Sequence, residues 1–302
     1  MSSREHSTAN CPCCGRLSHV SFTATDRNRR ISKEEFLYYR CASCGVLFLS
    51  PIPADLGRYY PASYYCGRPT MEQLRYGAGL EKYKIDLIKR FVDRGRLLEI
   101  GPAYGAFLYC AQQEGFQVEA IEMDEDCCKF IDETLGIRSR CEGDVTFALQ
   151  QLSPCNVIAL WHVIEHLPSP WTGLRAIANA LLPGGIAVIA APNPDALQFS
   201  LLGRRWTHVD APRHLELIPR SLLMKEMQSV GLETVLSTTT DEGSIGWNRF
   251  GWEFSFANMA DHPVVKHYMR KMGLLISQIA GPIERREGLG SAYTLIFQKS
   301  AH

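Results

Sequence analysis

Glycines and carboxylates stand at the ends of two predicted strands in the middle of the chain. The apolar residues 97–100 predict a short buried strand, and Gly101 and Gly105 follow in a turn before a helical pattern begins. Such a turn directs backbone N–H groups at a ligand. A second apolar run ends at Glu122, whose carboxylate is placed to accept hydrogen bonds from a ribose. The stretch therefore predicts a nucleotide-binding α/β unit.

Glu99 distinguishes between two kinds of nucleotide cofactor. A dinucleotide fingerprint requires glycine at three positions, which here read Gly101, Ala103 and Ala106. The alternative pattern is an acidic residue followed by alternating glycines, and it begins at Glu99. A carboxylate repels a pyrophosphate but attracts an ammonium or sulfonium group, which favours the second pattern. The stretch LLEIGPAYGAF resembles the first motif of class I S-adenosylmethionine-dependent methyltransferases, with Ala103 in place of the middle glycine.

Four of the eleven cysteines have the spacing of a metal site. Cys11, Cys14, Cys41 and Cys44 form two C-x-x-C-G knuckles, and in each knuckle two thiolates can converge on one ion. Together they predict a closed tetrahedral zinc site, which is structural because no ligand position stays open. Cys13 is left over. A redox pair or small buried residues are the alternatives to zinc.

Residues 1–55 resemble a zinc ribbon. The polar stretch 25–35 between the knuckles predicts an exposed hairpin or loop, and the apolar strand that begins at residue 46 ends at prolines. The basic residues of the polar stretch are mixed with acids, so a solvated loop is favoured over a nucleic-acid contact.

The order of the predicted elements indicates the fold class. Strands are predicted at 97–100, 118–122, 137–142, 157–160, 186–194, 232–240 and 291–299, with a helix at 81–95 before the first strand and one at 124–136 after the second. Five successive strand–helix repeats imply right-handed crossovers. The chain is therefore expected to form a Rossmann-like, doubly wound, mostly parallel seven-stranded α/β sheet with an N-terminal zinc ribbon.

Several segments together resemble one subgroup of class I methyltransferases. They read LLEIGPAYGAF, IEMD, GDV, VIALWHVIEHLPSP, LLPGGIAVIAAPNP and WTHVDAPRHL. Members often carry an N-terminal zinc ribbon, and the ubiquinone-biosynthesis O-methyltransferases are relatives. The resemblance implies S-adenosylmethionine as cofactor, bound by Tyr65, Glu99, Gly101, Gly105, Glu122, Met123, Asp144 and Trp161. Asp144 either bonds the adenine amine or caps the next helix, and Tyr65 either folds over the cofactor or packs between ribbon and core.

The pattern His162-x-x-Glu165-His166 has two interpretations. A metalloprotease is disfavoured, because prolines cut short the helix that this pattern requires. In the relatives, acidic and histidine residues at this turn hold a divalent ion near the acceptor, and these three residues would do likewise. The alternative, which we favour, is that Glu165 and His166 cap and brace the turn.

Two further histidines follow the fifth predicted strand. His208 and His214 are candidate general bases, because imidazole takes up a proton near neutral pH, and His162 and His166 are the other candidate catalytic residues. A paired structural role is the alternative for each. Arg213 is expected either to clamp an acidic acceptor or to bridge to Asp210.

Domain boundaries follow from these motifs. We expect a zinc-ribbon module at 1–55, an aromatic linker at 56–80 and a methyltransferase domain at 81–302. The aromatic-rich insert 241–290 is expected to be a lid over the acceptor. Packing of an apolar helix pair on the core is the alternative, and residues 272–283 are also suited to touch a lipid surface or a second subunit, so an oligomer stays open.

Composition limits the class of protein. Lysine plus arginine and aspartate plus glutamate both number 32, so no overall charge points to nucleic acid or an acidic membrane. No apolar stretch reaches membrane-spanning length and residues 1–10 lack a signal-type core, which predicts a cytoplasmic protein.

The sequence thus favours a methyltransferase that moves the methyl group of S-adenosylmethionine to an oxygen or carbon of a small molecule, a glycan or a biosynthetic intermediate. A non-catalytic zinc-ribbon adaptor with a ligand-binding α/β domain is the alternative. An NAD-dependent reductase is disfavoured by Glu99 and Ala103.

Overall fold

The computed structural model of the protein describes residues 8–61, 64–65 and 67–301. The first residues of the predicted ribbon, parts of the predicted linker and the last residue of the chain lie outside this range. The described strands are β1 (Thr8–Asn10), β2 (Leu17–Thr25), β3 (Glu35–Arg40), β4 (Leu47–Leu49), β5 (Arg96–Ile100), β6 (Gln117–Glu122), β7 (Arg138–Cys141), β8 (Cys155–Trp161), β9 (Leu181–Pro192), β10 (Glu216–Leu217), β11 (Leu232–Thr238) and β12 (Ala292–Lys299).

Ten α-helices connect or flank these strands within the described residues. They are α1 (Met71–Leu80), α2 (Lys82–Ile88), α3 (Ala106–Gln113), α4 (Glu125–Phe130), α5 (Val145–Gln150), α6 (Pro170–Ala180), α7 (Leu197–Leu202), α8 (Arg220–Ser229), α9 (Glu242–Ala257) and α10 (Pro263–Glu284).

Seven strands form the larger sheet in the order β11-β12-β9-β8-β5-β6-β7. The pairs among β9, β8, β5, β6 and β7 are parallel, and β12 is antiparallel to both of its neighbours. Apolar residues of β5 and β8 are buried on both faces, as expected for central parallel strands. The Rossmann-like, mostly parallel seven-stranded sheet predicted from the sequence is confirmed.

Helices cover both faces of this sheet. On one face Ile85 of α2 and Phe107 of α3 pack in one apolar cluster, and on the other Ile177 of α6 and Leu223 of α8 pack in a second. The sheet is therefore doubly wound, and the carboxyl ends of its parallel strands stay open at one edge, where such folds bind ligands.

The N-terminal strands form a second sheet that the larger domain completes. Its order is β1-β2-β3-β4-β10, and β10 belongs to the segment that follows β9. Leu217 of β10 pairs with Leu47 of β4, and the ribbon residues Tyr39 and Phe48 share an apolar cluster with α8. The ribbon is thus continuous with the core of the larger domain.

The hairpin between β2 and β3 differs from its prediction. The sequence favours a solvated loop here, but Asp26 is buried and accepts a hydrogen bond from Arg213 at 2.7 Å. Asn28 donates a hydrogen bond to the Thr207 carbonyl at 2.7 Å and accepts one from Asn258 at 2.9 Å. The hairpin tip is therefore anchored on the larger domain, because its polar side chains find partners there.

Some helix and strand limits also differ from prediction. Helix α1 occupies most of the second half of the predicted linker 56–80 and packs against α3, although it contains two glycines. Its start has a capping box, in which Thr70 and Gln73 satisfy each other's backbone N–H groups. Helix α2 ends at Ile88 rather than at residue 95, and β9 begins at Leu181 rather than at 186.

The insert 241–290 forms α9 and α10, which pack against each other, while α9 also contacts β12. Trp252 of α9 is buried in this packing. Helix α10 keeps an outward apolar stripe, in which Tyr268, Leu275 and Ile279 are each more than half exposed. Contact of this stripe with a second subunit or a lipid surface stays a prediction. Among the described residues no helix has the length and apolarity needed to cross a membrane.

Candidate active site

The turn after β5 has the backbone conformation of a glycine-rich loop. Gly101, Ala103 and Gly105 have φ values of +70°, +51° and +78°. Glycine adopts this left-handed conformation freely, whereas a Cβ adds about 1–2 kcal/mol. Ala103 therefore takes the conformation that the middle glycine of the motif would take.

Glu122 attaches this turn to the carboxyl end of β6. Its carboxylate accepts hydrogen bonds from the backbone N–H groups of Ala103 (2.9 Å), Met123 (2.8 Å) and Asp124 (3.0 Å). Burial raises the pKa of Glu122, and the three donors oppose this rise by stabilising the carboxylate. The side chain thus lies at the predicted cofactor edge of the sheet, while its contact with a ribose stays a prediction.

Glu99 is buried beneath the same turn. Its Oε2 atom has no hydrogen-bond partner among the described residues, and burial raises the pKa of Glu99 to about 8, although Lys84 opposes the rise. The ammonium group of Lys84 lies 4.5 Å from the ring of Trp161, at the end of β8. A buried carboxylate without a donor is a suitable partner for a cationic group of a ligand.

In the predicted arrangement, in which Glu99 faces the ammonium group of the cofactor, binding near pH 7 should release up to about one proton, because burial raises the pKa of Glu99 to about 8 and the ammonium group would lower it again. The release should vanish above about pH 9, where Glu99 is already ionised. Titration calorimetry with S-adenosylhomocysteine in buffers of different ionisation enthalpy measures it. Glu99→Gln should abolish the proton release. Glu119→Gln, on the neighbouring strand β6, should preserve it. Binding without proton release would contradict this placement of Glu99.

Tyr65 lies over the Gly101–Gly105 region from the linker side. Its ring is 6.0 Å from the ring of Tyr104, whose hydroxyl donates a hydrogen bond to Asp126 at 3.0 Å. Burial raises the pKa of Tyr65, and the nearby carboxylate of Glu122 adds to the rise. Tyr65 therefore lies close to Glu122. This position is compatible with both predicted roles, covering the cofactor and packing between the ribbon and the core.

Asp144 acts as the N-cap of α5. Its side chain accepts a hydrogen bond from the backbone N–H of Phe147 at 3.0 Å. A cavity of about 430 Å³ opens beside it, between Gly143 and Leu167, and Met123 on the neighbouring loop is 62% exposed. The capping role is present, and a contact with adenine stays a prediction.

Replacing Gly101 by alanine should weaken S-adenosylhomocysteine binding by at least about tenfold. The residue has positive φ, and a Cβ there would lie 2.6 Å from Cγ2 of Val163, so the turn must shift. Calorimetry measures the affinity. Gly79→Ala is the matched control, since its Cβ would meet no atom within 4 Å and its φ is not positive. Unchanged binding in Gly101→Ala would show that the cofactor does not use this turn.

A cavity of about 640 Å³, called the histidine cavity below, lies at the carboxyl end of β8. His162, His166, His208 and His214 all line it, together with Glu165. The sequence predicted these histidines separately, and the fold brings all of them to one place.

Glu165 is the centre of this group. His162 Nδ1 lies 3.6 Å and His214 Nε2 lies 4.0 Å from its Oε1 atom, and neither carboxylate oxygen has a hydrogen-bond partner among the described residues. Burial disfavours the ionised form, but the contact with His162 and the nearby His166 and His214 outweigh it and lower the pKa of Glu165 to about 2. The Glu165 side chain is therefore a buried carboxylate anion at neutral pH.

Two of the histidines are neutral near pH 7. Burial lowers the pKa of His166 to about 4 and that of His208 to about 3, and the nearby His214 adds to both shifts. A base of such low pKa holds a proton weakly. His162 and His214 each have a ring nitrogen within 4.0 Å of the Glu165 carboxylate.

Backbone carbonyls orient two of the rings. Nδ1 of His166 lies 3.0 Å from the carbonyl oxygen of Arg213, and Nδ1 of His214 lies 2.7 Å from that of His208. A carbonyl can only accept, so each Nδ1 carries a hydrogen and, in the neutral ring, each Nε2 has a free lone pair. Ligand atoms of Glu165, His166 and His214 lie within 4.8 Å of one another. This donor set fits a cation, with His214 in the place that the sequence gave to His162.

His162 has an unusual backbone. Its φ is +57°, a conformation that non-glycine residues rarely adopt and that costs of order 1–3 kcal/mol. The centre of its ring lies 4.4 Å from that of Trp247 of α9, with the two ring planes tilted by 49°, and the ring lines the histidine cavity. Residues 164–166 form a short 3₁₀ turn rather than an α-helix, so the metalloprotease arrangement is absent from this described segment.

Arg213 takes the second of its two predicted roles. It is fully buried, donates to Asp210 through Nε at 2.9 Å and Nη2 at 2.7 Å, and pairs with Asp26. It therefore bridges two carboxylates and is not free to clamp an acceptor.

Several cavity residues were missed from the sequence. Asn28 and Arg29 come from the ribbon hairpin, Asn258 follows α9, and Lys266 lies in the first turns of α10. No motif marks them, because only the packing of the ribbon and the insert on the sheet brings them together.

The four predicted zinc ligands also meet. Sulfur atoms of Cys11 and Cys44 lie 3.5 Å apart and those of Cys14 and Cys41 lie 3.6 Å apart, and all four lie within 4.8 Å of one another. Zinc–sulfur bonds of about 2.3 Å in a tetrahedron require sulfur separations near 3.8 Å. The group fits a zinc ion, and Cys13 is not part of it.

Comparison with known proteins decides the family. The family model described as "Methyltransferase domain" matches residues 76–237, more than half of the chain. The chain belongs to this methyltransferase family. This membership favours an enzyme over the adaptor and the reductase.

Parts of the chain are also similar to curated proteins. The ubiquinone biosynthesis O-methyltransferase of Idiomarina loihiensis is 24% identical over 153 residues, which are 46% of this chain and 62% of that protein. The protein of the same name from Xanthomonas oryzae pv. oryzae is 23% identical over 143 residues, 44% of this chain and 60% of that one. The chain thus spans about 60% of the length of these relatives.

Two solved structures share the fold of this methyltransferase. An S-adenosylmethionine-dependent methyltransferase from Archaeoglobus fulgidus superposes with a TM-score of 0.51 at 20% identity, over 74% of this chain and 94% of that one. The cyclopropane synthase MmaA2 from Mycobacterium tuberculosis has a TM-score of 0.50 at 14% identity, over 76% and 86% of the two chains.

Proposed function

We propose that this methyltransferase transfers the methyl group of S-adenosylmethionine to an oxygen or carbon atom of a small molecule, a glycan or a biosynthetic intermediate held in the histidine cavity. The supporting observation is the meeting of His162, Glu165 and His166, directly after β8, with the two histidines that follow β9. Val163, in the same segment, packs against Gly101 of the cofactor turn. The acceptor cavity and the predicted cofactor site are therefore neighbours.

The cofactor is proposed to lie along the carboxyl ends of β5, β6 and β8. Glu99 would face its ammonium group, Glu122 its ribose and Asp144 its adenine. The proposed site further includes Tyr65, Gly101, Gly105, Met123 and Trp161.

The transfer requires alignment more than activation, because the sulfonium already makes the methyl group reactive. The acceptor atom forms a bond to the methyl carbon as the carbon–sulfur bond breaks, and the sulfur leaves as a neutral thioether. A hydroxyl acceptor passes its proton to His214 or His162, and the buried anion Glu165 stabilises the imidazolium that results. A carbon acceptor would give its proton to the same base before transfer. His166 and His208 complete the proposed catalytic group as neutral neighbours.

A second divalent ion, in addition to the structural zinc, is proposed to bind at the same residues. Glu165, His166 and His214 would hold it, because an unpaired buried carboxylate and two oriented Nε2 lone pairs form a suitable donor set. Such an ion would supply Lewis acidity toward an acceptor oxygen.

Zinc is proposed as the structural ion of Cys11, Cys14, Cys41 and Cys44. The ribbon that it would stabilise contacts the histidine cavity directly, since Tyr38 of β3 donates a hydrogen bond to the His214 carbonyl at 2.8 Å. We further propose the domain limits given above, and that the insert 241–290 serves as the lid, because Trp247, Phe250 and Phe254 of α9 line the cavity.

Glu165→Gln tests the proposal. We expect methyl transfer from labelled S-adenosylmethionine to fractionated small-molecule extract to fall by about 10²–10⁴-fold, since the variant no longer stabilises a protonated base or a bound cation. Binding of S-adenosylhomocysteine should stay unchanged. His267→Gln, an exposed histidine of α10 outside the cavity, is the control. Equal transfer by wild type and Glu165→Gln would show that chemistry happens elsewhere.

A further inference from the structure

The mouth of the histidine cavity carries cations that its chemistry does not use. Arg29, on the ribbon hairpin, and Lys266, on α10, both line the cavity. Arg29 is exposed, lies 4.5 Å over the ring of Tyr64 and donates to the Tyr64 carbonyl at 3.4 Å. Neither cation forms an ion pair with another described residue.

Four more arginines lie beside the histidine cavity: three line a small neighbouring pocket that shares Asn28 and Asp210 with it, and the fourth donates to the Ala260 carbonyl. They are Arg27, Arg30, Arg204 and Arg205. Burial lowers the pKa of Arg27, and repulsion by Arg205, Arg30 and Arg204 lowers it further, so these groups lie close together. We call these four, with Arg29 and Lys266, the cationic rim.

Little within the protein neutralises the cationic rim. The ion pair between Arg30 and the exposed Asp261, at 2.6 Å, is the one formed by this group among the described residues. Arg27 donates to the backbone carbonyl of Asn258, and Arg204 to that of Thr23. The Nε atom of Arg27 is buried without a partner in the described structure.

The nearby acidic groups are already compensated. Asp26 and Asp210 pair with Arg213, and Glu165 faces the histidines. In a chain of zero net charge, the rim is therefore a local concentration of positive charge that folding does not require. Repulsion among the arginines lowers stability, which an anionic ligand would relieve.

The inner wall of the cavity has a different character. Phe250 lies 5.2 Å from Trp247 and 4.3 Å from Phe254, which gives a continuous aromatic surface beneath the rim. Such a surface packs against a ring, whereas arginines arranged around a mouth bind phosphate oxygens through paired N–H groups.

We propose that the acceptor carries a phosphate or diphosphate ester, which the cationic rim binds while the ring to be methylated enters the histidine cavity. This inference rests on the proposed function and adds the chemical class of the acceptor. A diphosphate fits better than a single carboxylate, because the cations are spread over the hairpin, the loop after α7 and α10 rather than gathered at one point.

Inorganic pyrophosphate is the probe, titrated into the full chain by calorimetry at low and high salt. We expect binding that weakens steeply with salt, and a loss of about five- to tenfold in affinity for Lys266→Gln and for Arg29→Gln. Lys271→Gln, one turn further along α10, and Lys33→Gln, on the same hairpin as Arg29, are matched controls outside the cavity and should bind as wild type does.

Two further titrations identify the source of the phosphate. A nucleoside diphosphate should bind more tightly than pyrophosphate, because its ring reaches the aromatic wall. Sedimentation with phosphatidylglycerol vesicles that is lost in Lys266→Gln would instead assign the rim to a lipid surface and overturn the proposal.

The proposal and the proposed function fail in different ways. If S-adenosylhomocysteine binds but pyrophosphate does not, or if all four lysine and arginine variants bind pyrophosphate equally, the acceptor class is wrong and the methyltransferase assignment is untouched. If S-adenosylhomocysteine itself does not bind, the proposed function fails.

Discussion

Arg213→Met is expected to lower the free energy of unfolding by about 3–5 kcal/mol. The guanidinium is fully buried between Asp26 and Asp210, at 2.7 Å from each, and joins the ribbon to the cavity loop. Removing it leaves two largely buried carboxylates without a cation. The cost of an unpaired buried charge greatly exceeds the modest benefit of an exposed pair.

Urea unfolding followed by tryptophan fluorescence measures this loss. Arg204→Met removes an exposed arginine from the same region and should cost less than about 0.5 kcal/mol. Adding Asp26→Asn and Asp210→Asn to Arg213→Met should recover a large part of the loss, since the unpaired charges are then gone. A loss below about 1 kcal/mol in Arg213→Met would show that water reaches the two carboxylates.

The central sheet could be predicted because its information is local. The apolar runs of β5 and β8 and the glycines that follow β5 occur within a few residues of each other, and a buried parallel strand tolerates little else. Gly101 has a positive φ and no space for a Cβ, so a glycine at this position directly indicates the conformation of the turn. The cysteine knuckles are equally local, and their sulfurs meet as predicted.

The histidine cavity was only partly predictable. Each histidine was recognised by its residue type. Glu165 and His214, however, are 49 residues apart in the sequence, and no spacing rule predicts their contact. Asp26 and Arg213 are 187 residues apart, so the burial of Asp26 follows from a distant charge and not from the polar composition of the hairpin. The composition indicated a solvated loop because the partner charges were not visible locally.

Helix α1 was not predicted from the sequence for a different reason. Gly77 and Gly79 reduce helix propensity by about 1 kcal/mol each, which made the segment look like a linker. The capping box and the packing of Ala78 against the core outweigh that cost. The Thr70–Gln73 pair was the available signal.

Cys41→Ser is expected to remove the zinc ion and, with it, methyl transfer to the acceptor. Structural zinc in small modules contributes about 10–16 kcal/mol of apparent binding free energy to folding, and the short strands of the ribbon cannot replace it. Strand β10 pairs with β4, and the hairpin tip supplies Asn28 and Arg29 to the cavity. Loss of the ribbon fold should therefore disorganise the acceptor site first.

The cofactor site should respond differently, and this difference makes the test specific. Its proposed residues belong mostly to β5, β6 and β8, so S-adenosylhomocysteine affinity in Cys41→Ser should stay within about threefold of wild type. Elemental analysis should find about one zinc per chain in wild type and in Cys13→Ser, the neighbouring thiol outside the site. Wild type without zinc would refute the site. Zinc loss with full methyl transfer would mean that the ribbon is not needed to shape the cavity, and the acceptor would then be held by the α9 wall alone.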